Sequence, residues 1–198
     1  SKNHVYSKEM EHDACGVGLI ASTEGKKSRA VVEHGIEALK AVWHRGAVDA
    51  DGKTGDGAGI HLEIPKDFFI EKIQVTGHDY DDSEICVGMI FLPRNDYSSQ
   101  ESCKTIVESE LTKNNFSIYG WRQVPVNSKV LGEKAFQTMP EIIQVLFKSN
   151  DPNLFDKELE RKIYETRKKI ENKALNLSLN NFYVCSIGSK SIIYKGMF

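Results

Sequence analysis

The run ICVGMIFL, residues 85–92, constrains the fold more than any other stretch of this chain. It is apolar from end to end and Pro93 stops it, so it predicts a buried strand. The elements around it are mixed. GVGLIAST, residues 16–23, predicts a strand. Val32, Gly35, Ile36, Leu39, Val42 and Trp43 recur at helical spacing and predict a helix from Ser28 to His44. GIHLEI alternates as a strand does, and Pro65 then opens a short helical segment, PKDFFIEKI. Ser98 with Glu101 reads as a capping box for a helix running to about Leu111. FSIYGWRQVPV predicts a strand, and MPEIIQVLF a strand or short helix. Leu159, Ile163, Thr166, Ile170, Ala174 and Leu177 form a narrow apolar stripe on a helix from Phe155 to Leu177. FYVCSIGSKSIIYKGM predicts two strands joined through Gly188 and Ser189. Strands neighbour strands, with helices between them. That pattern points to a layered α+β fold rather than a doubly wound sheet.

Composition removes several classes of function. A chain of 198 residues, 40% hydrophobic, can bury the core of one domain. Its net charge of −2, with both signs interspersed, asks for neither nucleic acid nor an anionic membrane. No apolar run approaches the roughly 18 residues of a membrane helix. The segment SKNHVYSKEM has no apolar h-region, so it is not a secretory signal. Cys15, Cys86, Cys103 and Cys185 are far apart without a CxxC. The histidines show no HxH or HxxxH pairing. No metal site and no disulfide framework are expected, and a cytoplasmic location is.

Two stretches carry possible chemistry. HRGAVDADGKTGDGAG, residues 44–59, is a loop rich in glycine and aspartate. It is not a phosphate loop, because Ala47 stands where GxxxxGK[ST] requires glycine, and a helix rather than a strand precedes it. It is not a calcium loop, because Lys53 and Thr54 occupy a ligand position and the glycine position. It is either an ordinary surface loop or tight backbone beside a reactive centre. Among the cysteines, Cys86 and Cys185 lie in strand-like apolar runs and Cys103 on the apolar face of a helix, as core residues do. Cys15 differs: it stands at an element boundary between Ala14 and Gly16.

DACGVGLIA, WHRGAVDADGKTGDGAGI, YGWRQVPVN and FYVCSIGSKSIIYKGMF together resemble the N-terminal glutaminase domain of the glutamate synthase large subunit. That is a class II glutamine amidotransferase of the N-terminal-nucleophile hydrolase superfamily. The likeness runs from about Met10 to Phe198, and the extended HRG block is its most specific part. It implies an α+β fold of four layers, an αββα sandwich, truncated here at its C-terminus because the chain stops directly after a strand. It implies that residues 1–14 are a propeptide and residues 15–198 the first part of the amidotransferase domain.

The resemblance also implies roles. Cys15 is the nucleophile, with its own α-amine as base once the leader is gone. Gly16 lets substrate approach the backbone closely, and Arg45 lies near the thiol. Lys190 stands where the family carries an arginine that grips the substrate α-carboxylate. The family's oxyanion-hole Asn-Gly pair lies beyond Phe198. L-glutamine is the implied substrate. The rest of the large subunit and a small subunit are the implied partners. FMN and an iron–sulfur cluster are expected in the full-length parent and no cofactor in this chain. Two other readings stand beside this one: a catalytically incomplete structural remnant of a synthase, or the glutaminase domain of another class II amidotransferase.

Overall fold

The computed structural model describes residues 16–42, 46, 48–80 and 84–197. They belong to two units, residues 1–47 and 48–198.

Among the described residues of the first unit there is one helix, α1, Arg29–Ala41. Ser28 caps it, its hydroxyl accepting from the Val31 amide at 3.4 Å, and Arg29 pairs with Glu33 one turn on. Val32, Gly35, Ile36 and Leu39 form the half-buried stripe expected of them. The strand expected over residues 16–23 is absent. Gly16–Ser22 are irregular, Val17 is 97% exposed, and a turn closed by Gly25 follows. A strand persists only where its backbone groups find a ladder. The described residues of this unit contain no second strand to supply one.

The second unit is built on a four-stranded antiparallel sheet. Its strands are β2 (Cys86–Leu92), β3 (Phe116–Gln123), β4 (Glu141–Ser149) and β5 (Tyr183–Gly188), in the order β3-β4-β2-β5. Side chains alternate faces along a strand, and here both faces are buried. Cys86, Ile90 and Leu92 of β2 face one core, with Ile143, Val145 and Phe147 of β4. Val87 and Met89, with Leu146, face the other. An apolar run without alternation is the result, which is why ICVGMIFL reads as it does. Gly88 is required by this crowding: a Cβ there would lie 2.7 Å from Val145 Cγ1.

The first core is closed by helices α3 (Tyr97–Lys113) and α5 (Asp156–Asn176). The stripe Leu159, Ile163, Thr166, Ile170 and Ala174 is buried as expected, but Leu177 is the exposed C-cap. The cap of α3 is not the expected Ser98–Glu101 box. Asp96 accepts from the Ser99 amide and hydroxyl, at 3.0 and 2.6 Å, and Glu101 pairs with Lys104 instead. A carboxylate two residues earlier starts the helix at Tyr97 and caps the Ser99 amide.

The second core lies under helix α2 (Lys66–Val75) and a two-stranded antiparallel sheet of β1 (Gly57–Glu63) and β6 (Ser191–Met197). The strands β5 and β6 are consecutive but do not pair as a hairpin. β5 pairs with β2 and β6 with β1, so the chain passes from one sheet to the other at Ser189–Lys190. Glu160 fixes that corner, accepting from the Ser189 amide and hydroxyl, both at 2.7 Å. Gln144, fully buried, links the sheets: its Oε1 accepts from Arg122 at 2.8 Å and its Nε2 donates to the Tyr194 hydroxyl at 3.1 Å. The described architecture is therefore α+β, with helix, sheet and sheet layered in that order in this unit.

Candidate active site

Of the expected site residues, Cys15 and Arg45 lie outside the described residues. Gly16 is described: it is exposed, and a Cβ built on it meets nothing within 4 Å. Lys190 sits at the corner between β5 and β6. Its carbonyl accepts from the Ile64 amide at 3.0 Å and its ammonium lies 3.0 Å from Asp156 Oδ1 at the start of α5. That hydrogen bond raises the Lys190 pKa above the ordinary lysine value.

Three other cysteines occupy the core, as their apolar settings predict. Cys86, Cys103 and Cys185 are free and buried. Burial pushes all three thiols up, Cys103 to about 11. A thiol must reach the thiolate form to attack carbon, so these three are poor nucleophiles near neutral pH. Among the described residues no cluster of three or more His, Cys, Asp or Glu side chains could hold a metal ion. None of their helices is long and apolar enough to cross a membrane.

The glycine-rich loop has a definite shape between Val48 and Asp56. Val48 and Gly55 form an isolated antiparallel bridge, and the Asp49 amide donates to the Thr54 carbonyl at 2.7 Å. Asp51 Oδ1 accepts from the amides of Lys53 and Thr54, at 2.9 and 2.7 Å. Its Oδ2 takes the Thr54 hydroxyl. Thr54, 3% exposed, is the buried member of the loop.

A short helix that the sequence does not announce receives it. Helix α4 (Glu133–Thr138) has Gly132 at its N-cap, and the Ala135 amide donates to Thr54 Oγ1 at 3.4 Å. Lys134 reaches Asp49 Oδ2 at 2.5 Å. The signals for this contact are modest: Asp-x-x-Thr within the loop, and a glycine ahead of Glu-Lys.

The Lys134 hydrogen bond holds the Asp49 carboxyl below the usual carboxylate range. The Thr54 hydroxyl, followed by the Thr54 and Lys53 amides, holds Asp51 well below it. Folding depresses both groups. The anchorage they supply is therefore complete above about pH 4 and is lost as pH falls through their lower folded values.

An α+β unit of stacked antiparallel sheets, in a chain whose first cysteine stands at residue 15, agrees with what the comparison of families finds. Residues 15–198 match the class-II glutamine amidotransferases, and the chain belongs to that family. Among individual proteins it is similar to the large chain of NADPH glutamate synthase from Azospirillum brasilense. The two are 53% identical over 195 residues, 98% of this chain and 13% of that protein. A ferredoxin-dependent glutamate synthase from Pyropia yezoensis is 39% identical over 202 residues, 100% of this chain and 13% of its own length. The NADH glutamate synthase of Saccharomyces cerevisiae is 36% identical over 206 residues, 98% of this chain and 9% of its own. The chain thus spans about an eighth or less of the relatives it matches.

Proposed function

We propose that this chain is the glutaminase part of a glutamate synthase large subunit, hydrolysing L-glutamine to glutamate and ammonia. The observation that carries the reading is the family match, which begins at Cys15 and covers the chain to Phe198. Cys15 is the nucleophile. A thiol ordinarily titrates at about 8.5 and a free α-amine at about 8, both close to neutral pH. The amine takes the thiol proton and the thiolate attacks the side-chain amide carbon of glutamine. The tetrahedral oxyanion collapses as the proton passes to the leaving nitrogen, so ammonia departs and a thioester remains. Water then adds to the thioester, the Cys15 sulfur leaves with a proton, and glutamate is released. Gly16 lets the substrate approach the backbone, and Arg45 favours the thiolate by its charge.

Several further assignments complete the reading. The domain is a four-layer αββα sandwich, in which a helical layer over the outer face of the β1–β6 sheet completes the helix, sheet and sheet already described. The ammonia goes to 2-oxoglutarate on another domain of the parent. FMN and an iron–sulfur cluster reside in that remainder, a small subunit associates with it, and the protein works in the cytoplasm. No step of glutamine hydrolysis passes through those cofactors.

The α-amine can act only when the bond from Ala14 to Cys15 is broken, since an amide nitrogen is no base. Residues 1–14 are therefore a propeptide: the Cys15 thiol attacks the Ala14 carbonyl, the C–N bond breaks as the nitrogen takes a proton and becomes the free α-amine, and water hydrolyses the resulting thioester to release the leader as a carboxylate and restore the thiol. Mass spectrometry of the full-length protein should find Cys15 at the N-terminus, and a Cys15→Ala protein should keep its leader. A native protein that retains residues 1–14 and still hydrolyses glutamine at full rate would overturn the mechanism.

Lys190 is assigned to the substrate α-carboxylate. Its ammonium is paired with Asp156, so the substrate must displace that partner. Lys190→Ala should raise KM for glutamine ~10-fold or more with kcat little changed, the pattern of a lost charge-assisted contact. Asp156→Asn should lower KM, because it removes the competitor. If both variants keep KM within about twofold of the parent, Lys190 is a structural lysine of the β5–β6 corner.

A further inference from the structure

Two acidic residues one turn apart on α5, Asp156 and Glu160, meet the corner between β5 and β6 in different ways. Asp156 pairs with the ammonium of Lys190 at 3.0 Å, whereas Glu160 grips the backbone just before it. Glu160 Oε1 accepts from both the amide and the hydroxyl of Ser189, each at 2.7 Å. Ser189 is 3% exposed, so that carboxylate oxygen stands in for water at two buried donors. Gly188 leaves it room: a Cβ there would lie 3.1 Å from Glu160 Oε2. On the other side of the corner the Lys190 carbonyl accepts from the amide of Ile64 at 3.0 Å, and Ile64 is buried in the second core. Glu160 itself rises from a fixed base, because Leu159 and Ile163 beside it on α5 are wholly buried in the first core. The backbone of Lys190 is therefore tied to both cores, while its side chain stands 57% exposed.

We infer that Glu160 is a positioning residue for Lys190, setting where its ammonium stands to receive the α-carboxylate of glutamine. The inference rests on the assignment of Lys190 to that carboxylate. The link is a single peptide bond: Glu160 holds Ser189, and Ser189 precedes Lys190. A lysine stem is long and flexible, so its charge is placed well only when the backbone beneath it is fixed. Glu160 acts by accepting hydrogen bonds, and its negative charge works the other way. A carboxylate near a site for a second carboxylate repels it, so by charge alone removal of Glu160 would tighten the binding of glutamine. By positioning, its removal weakens that binding. A Gln side chain at 160 separates the two effects, because it keeps an acceptor oxygen for Ser189 and drops the charge.

The test measures glutamine hydrolysis by the full-length parent and by Glu160→Ala, Glu160→Gln, Lys190→Ala and the double variant Glu160→Ala with Lys190→Ala. Glu160→Ala should raise KM for glutamine roughly 5- to 10-fold with kcat little changed, approaching the loss in Lys190→Ala. Glu160→Gln should stay within about twofold of the parent, since both hydrogen bonds survive. In the double variant KM should match that of Lys190→Ala within about twofold, because a residue that acts only through Lys190 has nothing left to place. A contact that only stabilises the fold would lower Tm and leave the KM of the folded enzyme where it was. If Glu160→Ala does not fold, Ser189→Ala decides the matter: it removes one of the two hydrogen bonds and should raise KM about threefold, and an unchanged KM there would overturn the inference. KM unchanged or lowered in Glu160→Ala, while Lys190→Ala raises it, would overturn the positioning role and leave the Lys190 assignment standing. An equal rise from Glu160→Ala with and without Lys190 would do the same. KM unchanged in Lys190→Ala would overturn both.

Discussion

In the full-length parent, Cys15→Ala should lower glutamine hydrolysis roughly 10⁴-fold or more, the scale on which removal of a covalent nucleophile is felt. Two losses coincide in this variant. There is no sulfur to form the thioester. There is also no thiol to cut the bond from Ala14, so the leader stays and no free α-amine appears. No described cysteine can substitute. Cys86, Cys103 and Cys185 lie in the core, and burial drives each thiol further from the thiolate form. Hydrolysis is read as glutamate released from glutamine without the other substrates. Activity above about one per cent of the parent in Cys15→Ala would exclude Cys15 as the nucleophile.

The second large effect concerns the fold. Phe147→Ala should cost about 3–5 kcal/mol, the range for emptying a fully buried aromatic site. Phe147 is 0% exposed at the centre of the first core, beneath α3 and α5. Its ring meets that of Phe116 edge to face, centroids 5.3 Å apart at 87°, a geometry worth more than its buried area alone. Set against a typical domain stability of about 5–15 kcal/mol, this is roughly a fifth of the total or more. Native-state hydrogen exchange on the full-length protein should show the amides of β4, α3 and α5 opening together at a free energy lower by that amount. A change below about 1 kcal/mol would mean that Phe147 is not part of a cooperative core.

What is legible in the sequence follows from what each element depends on. β2 is readable because its apolar run leaves no face for water, and α5 because its stripe repeats every three to four residues. The corner at Ser189–Lys190 is readable as a break between two strands, but its partners are not. Pairing of β5 with β2 and β6 with β1 is decided by strands far away in sequence, as Val87 with Gly188 and Ile60 with Tyr194 show. GVGLIAST has the composition of a strand, yet composition supplies no ladder. The capping box at Ser98 fails because the helix starts earlier: Asp96 is the N-cap and accepts from the Ser99 amide, which leaves Ser98 inside the first turn. Helix α4 escapes notice because its six residues carry no period of their own, and the contact that shapes it comes from Thr54. The candidate site divides in the same way. Cys15 and Arg45 are singled out by the run of motifs around them. The Lys190–Asp156 pair and the Ala135–Thr54 contact depend on tertiary neighbours, and only the structure contains them.

The corner between β5 and β6 also sets a rule of length. Ser189 and Lys190 are the whole of the link, and the chain is tied on both sides of it, by Glu160 to Ser189 and by Ile64 to Lys190. One residue added there would slip β6 against β1 by a single step and turn every side chain of the strand over. Tyr194 would leave Gln144, and Ile193 would stand in its place. Diverging descendants of this chain can therefore exchange residues at the corner far more freely than they can gain or lose one. The spacing between the two sheets is inherited as a count of residues.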